Sequence, residues 1–125
     1  MLDPPCSALG LRPKLVVVQE SLEEMYKLVK YQRMFVREAV QLLKPGGIIT
    51  YSTCTIHSLE NEGMVKYIID KYPNMQLLPI SDALGSPGLP GCGLSEEERM
   101  HVRRFDPIDE ADTIGFFVAK FKKSA

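Results

Sequence analysis

Two cysteines and an aspartate occupy the segments of this chain that are best placed for chemistry. Cys6 follows Asp3 in a proline-rich loop at the start of the sequence, and Cys54 follows a run of β-branched and aromatic residues at 48–52. In α/β sheets, ligands bind beyond the carboxyl ends of the strands, where both loops are expected. If the two strands are neighbours, Cys6, Cys54 and Asp3 converge on one cleft. Two thiols suit nucleophilic or redox chemistry, whereas a buried free cysteine is often only a small apolar side chain, and position alone leaves both interpretations open.

The periodicity of apolar residues predicts the elements that position these loops. Apolar positions at steps of three or four predict helix from Leu22 to Leu43, and a polar gap at Gln32 and Arg33 indicates a break before a longer helix over 28–43. The other predicted elements are a strand at 48–52, a helix near 59–72, a short edge strand at 75–80, a loop over 81–95 and a final strand at 114–121. This alternation predicts an α/β fold with a mostly parallel sheet and flanking helices, and about half of a doubly wound domain.

Length and composition indicate one ordinary globular domain. The chain has 125 residues, with 15 Lys and Arg against 16 Asp and Glu, a net charge of −1. This balance is not that of a dedicated nucleic-acid binder, although it excludes neither an RNA substrate nor a basic face. No apolar run approaches the roughly 18 residues that span a bilayer, and the first residues lack a secretory signal. The three cysteines fit no disulfide framework, so we expect reduced thiols and a cytoplasmic or nuclear location.

Several motifs along the chain carry a family resemblance. They are DPPCS at 3–7, LLKPGG at 42–47, YSTCT at 51–55, ENE at 60–62, RF at 104–105 and GFFVAKF at 115–121. In this order and spacing they resemble the Sun-domain (Nop/Sun) RNA cytosine-5 methyltransferases. The segments GCGLS at 91–95 and RFDP at 104–107 are similar to the branch that methylates tRNA near its acceptor end.

The resemblance implies a chemistry for each residue of the predicted cleft. Cys54 would be the nucleophile that adds to C6 of the cytosine, and Cys6 would assist release of the product. Asp3 would contact the base, and Asp3 and Pro5 would contact S-adenosyl-L-methionine, the implied cofactor. The implied partner is RNA, above all tRNA, with no metal and no membrane. The DNA cytosine methyltransferases use the cysteine of the P-C motif for attack, so Cys6 as nucleophile is the rival assignment.

The resemblance also implies a fold, the C-terminal half of a Rossmann-like class I S-adenosylmethionine-dependent methyltransferase. The glycine-rich turn and acidic residues that hold the cofactor precede the loop of Asp3 in this family, as does a catalytic lysine. Residues 1–125 are therefore expected to form a partial catalytic domain that lacks the N-terminal cofactor-binding strands and binds the cofactor poorly on its own.

The chain departs from the family pattern at two positions of the first loop. Pro4 replaces a small residue, so a second proline stiffens the backbone beside Asp3. Ala8 replaces a glycine, and its Cβ disfavours a positive φ at that position. Both substitutions bear on how the loop presents its cysteine.

Other interpretations of the motifs remain open at this stage. Glu60 and Glu62 are expected in the first turn of the second helix, where carboxylates suit the helix dipole, while Asn61 either caps that helix or orients the Cys54 loop. A non-catalytic RNA-binding or interaction fragment is the alternative function. A thiol-redox protein is disfavoured because no C-x-x-C pair occurs. Zinc is disfavoured because its candidate ligands lie on separate elements, and these are Cys54, His57, Cys92 and His101.

Overall fold

The computed structural model describes residues 1–9, 22–81, 84–107 and 113–125. Helices and strands alternate through most of these ranges, as the sequence predicts. They are α1 (Leu22–Leu42), β1 (Ile48–Thr53), α2 (Glu62–Lys71), β2 (Met75–Leu78), α3 (Glu96–His101), β3 (Arg103–Phe105) and β4 (Phe116–Lys123). None of the helices in the described part of the chain has the length and apolar character to cross a membrane.

The last strand, β4, is the centre of the sheet. It pairs antiparallel with β1 along one edge and with β2 and β3, placed end to end, along the other. Because β1 and β2 are both antiparallel to β4, they run in the same direction as each other. Leu2 forms a parallel bridge with Tyr51 on the free edge of β1.

The α/β class is confirmed, and the prediction of a mostly parallel sheet needs one correction. The Leu2 segment, β1 and β2 are mutually parallel, but every pairing of β4 is antiparallel because this strand inserts between β1 and β2. Side-chain alternation specifies which face of a strand is buried and carries no information about its direction. The position of β2 at an edge, indicated by Pro79, is confirmed.

The hydrophobic core lies between one face of the sheet and the helices α1 and α2. Alternate residues of β4 point into it, and Phe117, Ala119 and Phe121 are fully buried. The helices contribute apolar residues at helical spacing, namely Val29, Val36 and Val40 from α1 and Met64, Val65 and Ile68 from α2. This packing fixes both helices against the strands whose ends carry the two cysteines.

Several predicted elements differ from the structure. The edge strand ends at Leu78 rather than at 80, and the final strand is Phe116–Lys123 rather than 114–121. The break near Gln32 is wrong, because α1 is continuous and places Gln32 on its buried face with Val29 and Val36. The second helix begins at Glu62 rather than near 59. The helix α3, whose capping box joins Ser95 and Glu98, and the strand β3 were not predicted. Both are too short to show a clear period.

Candidate functional site

The parallel bridge between Leu2 and Tyr51 brings the two cysteine loops together. Leu2 N donates to the Thr50 carbonyl at 2.7 Å, and Ser52 N donates to the Leu2 carbonyl at 3.0 Å. A few residues further along each segment, the sulfur atoms of Cys6 and Cys54 lie 3.3 Å apart, and both thiols are free and half-buried. The predicted convergence of these two cysteines is confirmed.

The environment of Cys54 keeps its thiol protonated at neutral pH. Burial raises the pKa of Cys54 to about 11, and the hydrogen bond with Cys6 and the charges of Cys6 and Asp3 act in the same direction. Asp3 itself is exposed. Since the thiolate is the nucleophilic form, Cys54 needs a proton acceptor before it can attack a substrate.

Glu60 ties the loop of Cys6 to the rest of the site. Its side chain is fully buried and accepts hydrogen bonds from Ser7 N at 2.8 Å, from Ser7 Oγ at 2.6 Å and from Gln32 Nε2 at 2.9 Å. Gln32 Nε2 also donates to the Pro5 carbonyl at 3.0 Å. Glu60 lies before the first residue of α2, so the prediction that it serves the helix dipole is wrong.

Glu60 also meets the strand that leads to Cys54. The Tyr51 hydroxyl donates to the backbone carbonyl of Glu60 at 2.6 Å. Burial, followed by the charge of Glu60, raises the pKa of Tyr51, so this hydroxyl stays neutral and remains a donor.

Asn61 holds the loop of Cys54 from both sides. Its Oδ1 accepts from Thr53 Oγ1, and its Nδ2 donates to the Thr55 carbonyl at 2.9 Å. It makes no side-chain hydrogen bond to the first turn of α2. Of the two predicted roles, orientation of the Cys54 loop is therefore confirmed.

Glu62 forms a buried ion pair with Arg104 of β3. Arg104 Nε and Nη2 donate to the two carboxylate oxygens at 2.8 and 2.9 Å, and both side chains are at most 2% exposed. Burial lowers the pKa of Arg104, but the hydrogen bond and charge of Glu62 outweigh it and the net direction is upward. Arg104 Nη1 donates to the Ile56 carbonyl at 2.8 Å, which fixes the far end of the Cys54 loop.

Ala8 in the first loop adopts the positive φ that its Cβ was expected to disfavour. Ala8 has a φ of 58°, in the left-handed region where glycine is favoured. Pro4 is buried, while Pro5 is exposed with its carbonyl bound to Gln32. The loop is thus held by a hydrogen bond that Gln32 donates to Pro5 and by two that Ser7 donates to Glu60, rather than by its own backbone preference.

The other polar residues near the cleft have local contacts. His57 Nδ1 accepts from Leu59 N at 3.2 Å, and Cys92 Sγ lies 3.8 Å from the Ser58 carbonyl. Within the described ranges, no three His, Cys, Asp or Glu side chains gather as metal ligands would.

Comparison with known proteins identifies the family. A family model described as "16S rRNA methyltransferase RsmB/F" matches residues 1–122. The chain therefore belongs to the RsmB/F family of Sun-domain methyltransferases.

Its relatives act on more than one kind of RNA. The chain is 48% identical over 131 residues to the rRNA (cytosine-C(5))-methyltransferase NOP2C of Arabidopsis thaliana, covering 97% of this chain and 22% of the relative. It is 38% identical to the tRNA (cytosine(72)-C(5))-methyltransferase NSUN6 of Homo sapiens, covering 98% of this chain and 31% of the relative. The chain thus spans less than a third of the length of either protein.

Solved structures share the same fold. The crystal structure of NSun6 from Pyrococcus horikoshii with SFG superposes with a TM-score of 0.81 at 42% identity, covering 99% of this chain and 29% of that one. A methyltransferase homologue from the same organism gives a TM-score of 0.78 at 34% identity, with 98% of this chain and 37% of that one covered. The fold is therefore that of part of a Rossmann-like methyltransferase domain.

Proposed function

We propose that this chain is the cysteine-bearing part of an S-adenosylmethionine-dependent RNA cytosine-5 methyltransferase with tRNA as its substrate. The observation that carries the proposal is the 3.3 Å separation of the Cys6 and Cys54 sulfur atoms at the ends of two parallel segments. The names of the relatives support RNA cytosine as the target, and the resemblance of residues 91–95 and 104–107 to the acceptor-end branch favours tRNA.

The residues of the cleft fit the cofactor of this family. The relative from Pyrococcus horikoshii was solved with SFG, an analogue of S-adenosylmethionine. Asp3 is an exposed carboxylate whose charge raises the pKa of the Cys54 thiol, and a negative charge there suits a cationic sulfonium. Asp3 and Pro5 are the residues that would contact the cofactor, which supplies the methyl group when bound.

The two thiols serve different steps of the methylation of cytosine. C5 of cytosine is a poor nucleophile, and addition of the Cys54 thiolate to C6 moves an electron pair onto C5 and makes it reactive. Asp3 hydrogen-bonds the base while this covalent adduct exists. Once C5 carries the methyl group, a base accepts the C5 proton, the C–H electron pair restores the C5–C6 double bond, and the Cys54 sulfur leaves C6 as a thiolate. Cys6 assists this elimination from its position beside Cys54.

Substitution of each cysteine separates these roles. In the full-length protein, Cys54→Ala is expected to abolish both methylation and the covalent RNA adduct. Cys6→Ala is expected to form the adduct and to accumulate it. Cys92→Ala is the matched control and should behave as the unaltered protein.

Each other outcome has a defined meaning. Full turnover of Cys54→Ala would contradict the proposal. Accumulation of the adduct in Cys54→Ala, together with an inactive Cys6→Ala, would establish the rival assignment in which Cys6 attacks.

A second candidate is a non-catalytic RNA-binding or interaction fragment of such an enzyme. The observation behind it is that the chain covers only 22% to 31% of its relatives, which is consistent with a partial catalytic domain. RNA retention without methyl transfer, under conditions in which the relatives are active, would favour this candidate.

A further inference from the structure

The contacts of Glu60 converge on one loop of the site. Both carboxylate oxygens accept hydrogen bonds from Ser7, and Oε1 also accepts from Gln32 Nε2. Gln32 in turn donates to the carbonyl of Pro5. Pro5 and Ser7 are the two chain neighbours of Cys6, so this cluster holds the backbone of Cys6 on both sides.

The position of Glu60 excludes a direct part in the chemistry. The carboxylate is 0% exposed, so it cannot reach a substrate in the cleft. Burial of a carboxylate is costly unless donors satisfy it, and this one meets three. The donors to this carboxylate lie next to a reactive thiol. A buried carboxylate in that place is suited to positioning the loop of that thiol.

The same cluster reaches across to the loop of Cys54. Thr55 Oγ1 lies 2.8 Å from Ser7 Oγ. Because Ser7 Oγ donates its single proton to Glu60, Thr55 must be the donor in this contact. Glu60, Ser7 and Thr55 therefore form a chain of hydrogen bonds that sets one cysteine loop against the other.

We infer that Glu60 is a positioning residue that places Cys6 for release of the methylated product. The inference rests on the proposed function, in which Cys54 forms the adduct and Cys6 assists its elimination. Loss of Glu60 frees the loop of Cys6, while Asn61 continues to hold the loop of Cys54 through Thr53 and Thr55. Adduct formation then proceeds and elimination slows.

The test compares Glu60→Ala with Asn61→Ala in the full-length protein. For each variant, turnover and the fraction of protein bound covalently to RNA are measured under the same conditions. Glu60→Ala is expected to lower turnover by about 10- to 100-fold while the adduct fraction rises, because a displaced catalytic group loses rate on this scale. Asn61→Ala is expected to lower turnover and adduct together.

Glu60→Gln supplies the conservative control. Its Oε1 can still accept from Ser7 N and Gln32 Nε2, and its amide can donate to Ser7 Oγ, so turnover should stay close to that of the unaltered protein. A Glu60→Ala variant whose adduct falls in proportion to turnover would overturn the inference, because that is the result of a general structural defect. Loss of activity in Glu60→Gln equal to that in Glu60→Ala would also overturn it.

A second measurement keeps the inference testable if Glu60→Ala folds poorly or if the proposed function fails. Hydrogen peroxide oxidises one thiol to a sulfenic acid and releases water, and the neighbouring thiol condenses with that sulfenic acid to give a disulfide and a second water. The first step follows the thiolate fraction, whereas the share of oxidised protein that ends as the Cys6–Cys54 disulfide rather than as higher cysteine oxides reports how well the two sulfur atoms are aligned. Glu60→Gln should give the same disulfide share as the unaltered protein, and Asn61→Ala and Glu60→Ala should both give a smaller one. An equal disulfide share in Glu60→Ala and the unaltered protein would overturn the positioning role, whatever the result for methylation.

Discussion

Removal of the Cys6 thiol is expected to make Cys54 more acidic. Burial contributes most to the pKa of about 11, and the hydrogen bond and charge of Cys6 come next. From an ordinary value of 9.0, this rise lowers the thiolate fraction at neutral pH about a hundredfold. Because burial is the largest cause of the rise and remains after Cys6→Ala, that variant is expected to increase the thiolate fraction, but by less than this hundredfold.

Alkylation kinetics measure this change directly. The rate at which iodoacetamide modifies Cys54 follows its thiolate fraction, and peptide mass spectrometry distinguishes Cys54 from Cys6 and Cys92. In the unaltered protein the rate should rise tenfold per pH unit from about pH 7 to about pH 9.5 without a plateau. Cys6→Ala should react faster at every pH in this range, whereas Cys92→Ala should match the unaltered protein.

Two results would refute the reasoning. A plateau below about pH 9.5 in the unaltered protein would mean that Cys54 has an ordinary pKa and that its burial has no effect on the thiol. An unchanged rate in Cys6→Ala would mean that the neighbouring sulfur does not stabilise the neutral form.

Two further predictions concern stability. Arg104→Met leaves the Glu62 carboxylate buried without its partner and should lower the free energy of unfolding by about 3–5 kcal/mol, measured by urea denaturation. Addition of Glu62→Gln to that variant should restore part of the loss, and a double variant less stable than Arg104→Met would contradict the ion-pair account. Ala8→Gly relieves a φ of 58° and should stabilise the protein by up to about 1 kcal/mol, which a lower Tm would contradict.

Much of the fold follows from the sequence because apolar periodicity reports burial. The helices around Val36 and Ile68 and the strands around Tyr51 and Phe121 were predictable on that basis. The direction of β4 was not, because alternation is the same for parallel and antiparallel strands. Gln32 led to the wrong prediction of a helix break. It is a buried polar residue that hydrogen-bonds to Glu60 and Pro5, so it interrupts the apolar pattern although the helix is continuous.

The convergence of the two cysteines could be predicted from the sequence, but the residues that hold their loops in place could not. Cys6 and Cys54 were expected to converge if their two segments are neighbours, and the structure confirms their contact. The roles of Glu60 and Glu62 depend on partners 53 and 42 positions away along the chain, and no local pattern specifies such contacts. The one sequence signal available was that ENE at 60–62 and RF at 104–105 both occur among the motifs of the family.

The central claim is that Cys54 attacks the cytosine, and a trapped adduct tests it most directly. In tRNA that carries 5-fluorocytosine, the C5 substituent cannot leave as a cation, so elimination stops and the covalent adduct accumulates. The full-length protein would be incubated with this RNA and S-adenosylmethionine, digested and mapped by mass spectrometry. The account predicts the nucleotide on the peptide that contains Cys54. Attachment to the peptide that contains Cys6, or no adduct from an enzyme that methylates normal tRNA, would contradict it.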